Sequence, residues 1–174
     1  IVTKDEVQQL VDNLPAGMPI LLDEAYHHYV DDPAYATGMP YVTQGKPVIV
    51  ARTFSKIAGM AALRIGYAAA PPELLQKMRP YSTGSVNVLA RYGAVATLKN
   101  PAAMAEVKTK TKQLREKTSK DLRDLGYEVI PIRRYRELGE ARCVEIIRER
   151  IGDAPVYITF DLVCLDPAVA PGVS

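Results

Sequence analysis

Apolar positions recur along this chain in two spacings, which predict an alternation of helices and short strands. After Thr3, whose capping-box pattern with Glu6 marks a helix start, apolar residues recur every three or four positions through Leu14. Two short apolar runs follow at 19–23 and 47–51, and neither alternates with polar residues, as is typical of strands buried on both faces. This order predicts an α/β fold with a mostly parallel sheet and helices on both faces.

The rest of the chain is predicted to be mostly helical, with a third strand at 65–70. Prolines at helix starts and glycines after helix ends mark the further elements. We predict helices at 73–78, 85–99, 101–125 and 137–150, and short strands at 127–131 and 155–160. The basic face of the 101–125 helix is expected to lie in solvent. Residues 27–46 are expected to form a loop, in which the adjacent His27 and His28 face opposite ways and do not share a metal ion.

Polar residues follow both apolar runs and bring candidate chemistry to the carboxyl edge of the predicted sheet. The first run ends on Asp23, with Tyr26 three residues later, and Lys56 lies shortly after the second run. Ligands of open α/β sheets bind at this edge. A lysine at the mouth of an apolar pocket can lose its proton and act as an amine nucleophile. The residues alone leave structural roles open: a strand-end cap, a core tyrosine and a surface lysine.

Three segments in order carry a resemblance to a known family. Asp23-Glu-Ala-Tyr26, Thr53-Phe-Ser-Lys56 and Arg64-Ile-Gly-Tyr67 resemble the large domain of fold-type I aminotransferases that use pyridoxal 5′-phosphate, in particular the histidinol-phosphate aminotransferase group. The resemblance covers residues 1–131, which we interpret as part of that domain. It implies transamination between an amino acid and a keto acid, a third strand antiparallel to the others, and a homodimer as one arrangement of the chain.

The resemblance also implies a role for each matching residue. Lys56 would bind the cofactor covalently and move protons at the substrate's alpha carbon, with its pKa lowered by burial and by nearby Arg64. Asp23 would pair with the pyridinium nitrogen, and Tyr26 would donate a hydrogen bond to the ring's phenolic oxygen. The implied phosphate ligands are Thr53, Ser55 and Arg64.

Other parts of the resembled site have no counterpart in the sequence. These parts are a glycine-rich phosphate loop, an aromatic residue that stacks on the cofactor ring, and an arginine for the substrate carboxylate. The chain also starts on Ile1 rather than on a methionine, so it reads as an excised piece. We therefore expect an incomplete aminotransferase domain, and the sequence leaves open whether it is active.

The last part of the chain, residues 132–174, resembles a second family. Phe160-Asp-Leu-Val-Cys-Leu-Asp-Pro167 is similar to the late metal-binding signature of ureohydrolases, the arginase and agmatinase group. Those enzymes hold two manganese ions with carboxylates at the first and third signature positions, but the third is Val163 here, which has no ligand atom. Manganese is therefore not expected, and Asp161 and Asp166 are interpreted as vestigial. The alternatives are thus a manganese hydrolase fragment and a structural chimera without catalysis.

Composition and charge argue against several other classes of function. The chain has 174 residues, 48% hydrophobic and 24% charged, which is ordinary for a globular protein. A net charge of +2 gives no reason to expect nucleic acid as a partner. No apolar run approaches the ~18 residues that a membrane span needs. Without a visible signal peptide, we expect a cytoplasmic protein in which Cys143 and Cys164 are free thiols.

Overall fold

The computed structural model of the protein describes residues 2–82 and 84–159 and divides the chain into two compact units. The first unit runs from Ile1 to Thr118 and the second from Ser119 to Ser174. The elements are α1 (Lys4–Asp12), β1 (Ile20–Asp23), α2 (Met39–Thr43), β2 (Val48–Thr53), β3 (Gly66–Ala69), α3 (Pro72–Met78), α4 (Val88–Leu98), α5 (Pro101–Asp124) and α6 (Ile132–Ile151). The α/β class predicted from the sequence is confirmed.

A three-stranded sheet in the order β1–β2–β3 organises the first unit. β1 and β2 are parallel, with Asp23 beside Ala51, whereas β2 and β3 are antiparallel, with Thr53 beside Gly66. A Cβ atom on Gly66 would lie 2.6 Å from the carbonyl oxygen of Arg52, so glycine is what allows the two strands to approach here. The sheet is therefore mixed, and β3 has the antiparallel direction that the family resemblance implied.

One face of the sheet carries the main core, and the other face is more open. Val48 and Val50 of β2 are fully buried under α1 and α2. The core cluster consists of Val7, Val11, Tyr41, Val48 and Val50. On the opposite face Leu21 is 61% exposed. The prediction that the apolar runs are buried on both faces is therefore wrong for β1, where exposed residues alternate with half-buried ones, whereas every residue of β2 is at least partly buried.

A second apolar cluster attaches the β2–β3 connection to α4. It contains Phe54 and Ile65 from the two ends of the connection, and Ala90 and Ala94 from the helix. Ile57, in the middle of the connection, is only 2% exposed. The backbone of this segment is thus held by buried side chains on both sides of its polar residues.

Most helix predictions for the first unit are confirmed, with boundaries shifted by a few residues. The capping box of α1 is present: the backbone N–H of Thr3 donates to Glu6 Oε2 at 2.7 Å, and the N–H of Glu6 donates to Thr3 Oγ1 at 3.3 Å. Residues 27–46 are not only a loop, because they include α2. This short helix places Tyr41 in the core, a contact that local sequence pattern did not reveal.

The second unit differs from the sequence-based prediction in its strands and in the start of its last helix. The strands expected at 127–131 and 155–160 are absent from the described residues, of which the last is 159. A short strand needs a hydrogen-bonded neighbour, and the described part of this unit offers none. α6 begins at Ile132, earlier than predicted, and a break at Gly139 with φ of 77° interrupts it.

The remaining predictions concern the two cysteines, the ureohydrolase-like signature, membrane-spanning helices and metal sites. Cys143 is a buried free thiol, as predicted. Cys164, Asp161 and Asp166 lie outside the described residues, so the ureohydrolase-like signature stays a prediction. None of the helices that the structure describes has the length and apolar character needed to span a bilayer. In the same ranges, no three histidine, cysteine, aspartate or glutamate side chains gather as a metal site.

Candidate active site

The β2–β3 connection places Lys56 on a cavity of about 390 Å³ in the first unit. Buried Phe54 and Ile57 anchor the backbone around it, while the Lys56 side chain itself is exposed. The Lys56 amine lies 5.1 Å from the centroid of the Tyr26 ring. Ser55 lines the same cavity. The structure therefore brings together Lys56, Tyr26 and Ser55 from the set proposed on sequence.

Asp23 and Thr53 lie at the carboxyl ends of two neighbouring parallel strands. Because Asp23 is beside Ala51 and side chains alternate, Asp23 and Thr53 lie on the same face of the sheet. The Asp23 carboxylate accepts a hydrogen bond from the N–H of Ala25 at 2.9 Å, and the Thr53 hydroxyl accepts one from the N–H of Ser55 at 3.0 Å. Both side chains therefore also shape the turns that follow their strands.

Arg64 is not among the residues that line this cavity. Its backbone has φ of 50° and ψ of 57°, and within the described ranges it is the one non-glycine residue with positive φ. Its guanidinium donates to the carbonyl oxygen of Ala61 at 3.0 Å. The left-handed backbone and this local hydrogen bond hold the exposed side chain against its own turn.

The charge state of Lys56 differs from the sequence-based expectation. Its interaction with the Tyr26 hydroxyl raises the pKa of the Lys56 amine above the usual value. The expectation of a lowered pKa is therefore wrong for the protein without ligand, because the amine is exposed and its partner is a phenol rather than a cation. In this state the amine carries a proton at neutral pH and must lose it before it can act as a nucleophile.

A buried ion pair that the sequence analysis missed lies directly beside these residues. Glu24, 6% exposed, follows β1 and accepts hydrogen bonds from Arg52 of β2, from Nη2 at 2.7 Å and from Nε at 2.9 Å. It also accepts from the Thr37 hydroxyl at 2.9 Å and the N–H of Gly38 at 2.6 Å. The pair connects the residue after Asp23 to the middle strand. Its only sequence signal is an acid and an arginine at corresponding ends of two apolar runs.

Two histidines pack beside this ion pair. His27 Nδ1 lies 3.0 Å from the Tyr35 hydroxyl, and the buried Nδ1 of His28 has no hydrogen-bond partner among the described residues. Burial lowers the pKa of both imidazoles below 6.5, and the positive charge of Arg52 lowers it further. Burial also raises the pKa of Tyr35 to about 12. These groups are therefore neutral at neutral pH.

We expect the free energy of unfolding to decrease as the pH falls below about 6.5. Above that pH both imidazoles are neutral in the folded and unfolded chains and contribute nothing. Below it the unfolded chain takes up protons first, because the folded-state pKa values are lowered. The folded state then loses stability until the pH has passed those lowered values. Urea unfolding at about pH 7.5 and about pH 5 measures the loss.

The matched variant for this pH dependence combines His27→Gln with His28→Gln. It keeps polar side chains of similar size but removes both titrating groups, so the decrease between the two pH values should become smaller. An equal decrease in the variant and the wild type would show that other groups cause it.

Comparisons with known proteins identify the family. The family model for class I and II aminotransferases matches residues 1–134. The histidinol-phosphate aminotransferase of Caldicellulosiruptor saccharolyticus is 37% identical over 114 residues, which are 65% of this chain and 32% of that protein. The corresponding enzyme of Moorella thermoacetica is 34% identical over 133 residues, 75% of this chain and 34% of that protein.

A solved structure agrees with the sequence comparisons. Histidinol-phosphate aminotransferase from Sinorhizobium meliloti, in complex with pyridoxal-5′-phosphate, superposes with a TM-score of 0.64 at 27% identity, over 74% of this chain and 35% of that one. This chain thus spans about a third of the length of these relatives. Since the family match covers most of the sequence, the chain belongs to the class I and II aminotransferase family.

Proposed function

We propose that this chain is the cofactor-lysine segment of a pyridoxal-phosphate-dependent aminotransferase of the histidinol-phosphate aminotransferase type. The observation that carries the proposal is the exposed Lys56 on a cavity that Tyr26 and Ser55 also line. The proposed reaction exchanges an amino group between an amino acid and a keto acid. Because the chain spans about a third of its relatives, we assign it binding and proton-transfer groups rather than a complete substrate site.

The side chains present fit the cofactor chemically. An amine can bind an aldehyde, a carboxylate can hold a proton on a pyridine nitrogen, and hydroxyls can bind a phosphate. Asp23 supplies the carboxylate at the end of β1, and Lys56 and Ser55 supply the amine and a hydroxyl after β2. When bound, the cofactor supplies the electron sink that makes the alpha proton of an amino acid removable.

Proton transfer is assigned to Lys56 and Tyr26. The Tyr26 hydroxyl favours the protonated amine in the free protein, so binding of the cofactor must be accompanied by loss of that proton. Tyr26, whose ring centroid lies 5.1 Å from the Lys56 amine, would donate a hydrogen bond to the cofactor when it is bound. Thr53 and Arg64 complete the proposed phosphate ligands, and Arg64 would first have to leave the Ala61 carbonyl oxygen.

Lys56→Ala is expected to abolish the visible absorption band that pyridoxal 5′-phosphate gains when a lysine amine binds it. Titration of the whole chain, followed by borohydride reduction and peptide mapping, should place the label on Lys56. Lys46→Ala is the matched control, because Lys46 is also exposed but precedes β2, away from the cavity. No band in the wild type, or a label distributed over other lysines, would contradict the proposal.

On the basis of the family resemblance, we also propose that the chain forms a homodimer. Sedimentation equilibrium measures it directly, and a monomer at all concentrations would contradict it.

A further inference from the structure

Helix α5 presents a row of polar and cationic side chains to the cavity at Lys56. The row consists of Lys108, Thr111, Lys112 and Arg115. Their spacing of three and four residues places them on one face of the helix. Tyr26, Tyr29 and Asp31 line the cavity with them. Thr111, Lys112 and Arg115 are exposed, as predicted for the basic face of this helix, and they also line this open cavity.

The cavity holds more positive charge than its carboxylate can balance. Asp31 is the single acidic residue among the described residues that line it, and it pairs with Lys108 at 2.7 Å and with Lys112 at 3.6 Å. The Lys108 amine also donates to the carbonyl oxygen of Val30 at 2.9 Å, so it already has two partners within the chain. Arg115 makes no ion pair within the part of the chain that the structure describes. Lys112 has only the longer of the two contacts with Asp31, which Asp31 shares with Lys108. Lys112 and Arg115 are therefore the α5 cations with the weakest pairing to groups of the chain.

We propose that Lys112 and Arg115 form an anion subsite, which binds the phosphate or carboxylate group of a small molecule held at Lys56. This inference rests on the proposed function and adds to it residues outside the three family segments. Arginine can bind such a group with two parallel hydrogen bonds, and lysine adds a point charge. Ser55 and Thr111 supply hydroxyl donors in the same cavity. Its volume of about 390 Å³ suits a small ligand.

The placement of Arg64 supports this assignment. Arg64 is the implied phosphate ligand, yet its guanidinium is bonded to Ala61 and does not line the cavity. The cations that do line the cavity with Lys56 come from α5. An oxyanion attached to a ligand at Lys56 thus meets Lys112 and Arg115 in this conformation. Two sources share this chemistry: the phosphate of the cofactor and an acid group of the substrate.

The first test measures binding of inorganic phosphate to the whole chain by calorimetry. The double variant Lys112→Gln and Arg115→Gln is expected to bind phosphate at least about tenfold more weakly, because it loses two charged hydrogen-bond donors. The control combines Lys46→Gln with Lys110→Gln, which removes the same net charge outside this cavity and should change the affinity by less than about twofold. Unchanged affinity in the first variant, equal losses in both, or no phosphate binding by the wild type would each overturn the proposal.

The second test identifies the source of the anion by comparing pyridoxal 5′-phosphate with pyridoxal as labels for Lys56. If the subsite binds the cofactor phosphate, wild-type Lys56 should be labelled more readily by pyridoxal 5′-phosphate than by pyridoxal, and the double variant should lose this preference. Added inorganic phosphate should then also reduce the preference in the wild type. If it binds a substrate acid group, the preference survives and the labelled chain still binds phosphate. Both results support the subsite. Failure of both compounds to label Lys56 contradicts only the proposed function, because phosphate binding does not depend on the lysine reaction.

Discussion

Glu24→Gln is expected to lower the free energy of unfolding of the first unit by about 3–5 kcal/mol. The substitution keeps the shape of the side chain but leaves the Arg52 side chain, 14% exposed, without its counter-charge. Breaking a buried pair from one side leaves an uncompensated charge in the interior, which destabilises more than the intact pair contributes. Hydrogen exchange at the β1 and β2 amides measures this loss in the first unit, separately from events in the second.

An exposed pair of the same unit provides the control for Glu24. Glu106 pairs with Lys110 at 2.6 Å one turn along α5, and both side chains are more than half exposed. Glu106→Gln is therefore expected to leave the unfolding free energy nearly unchanged. Similar effects of the two substitutions would show that burial does not amplify the Glu24–Arg52 interaction.

Ile57→Ala is expected to destabilise the same unit by about 2–5 kcal/mol. Ile57 is 2% exposed, so its truncation removes buried methyl groups and leaves a cavity beneath the connection that carries Lys56. Ile57→Val removes a single methylene group and should cost about 0.5–1.5 kcal/mol. The readout is again hydrogen exchange at the strand amides.

Leu63 supplies the comparison within the same connection. It is 40% exposed, so Leu63→Ala removes a side chain of the same size from a position where less area is buried. A loss as large as that of Ile57→Ala would mean that Ile57 is not the anchor of this segment. Since Ile57→Val is expected to remain folded, its labelling by pyridoxal 5′-phosphate tests whether the same packing also orients Lys56.

Sequence patterns predicted the elements of the first unit because each pattern acts over a few residues. The capping box at Thr3 and the apolar runs of β1 and β2 are complete within one segment. The Glu24–Arg52 pair joins residues 28 positions apart, and the contact between Lys108 and Val30 joins residues 78 positions apart. No periodicity records such contacts, so the ion pair and the cationic wall of the cavity could be found only in three dimensions.

In the candidate site, too, local sequence patterns predict where the residues lie along the chain but not where their side chains point. Lys56 and Tyr26 meet because each follows a strand, and parallel neighbours bring those ends together. Side-chain direction was not predictable for Arg64, since it depends on a left-handed backbone. The strand expected at 127–131 failed for a related reason: a strand requires a partner, which its own sequence does not provide.

With the phosphate-binding role that we propose for Arg64, its left-handed backbone would make position 64 one where protein stability and ligand binding favour different residues. A side chain in this conformation costs about 1 kcal/mol relative to glycine, which adopts it without steric conflict. Gly59 in the same connection also has a positive φ, of 64°, at no such cost. A selection for heat resistance alone would therefore move position 64 toward glycine, and would remove the guanidinium that we propose as a phosphate ligand.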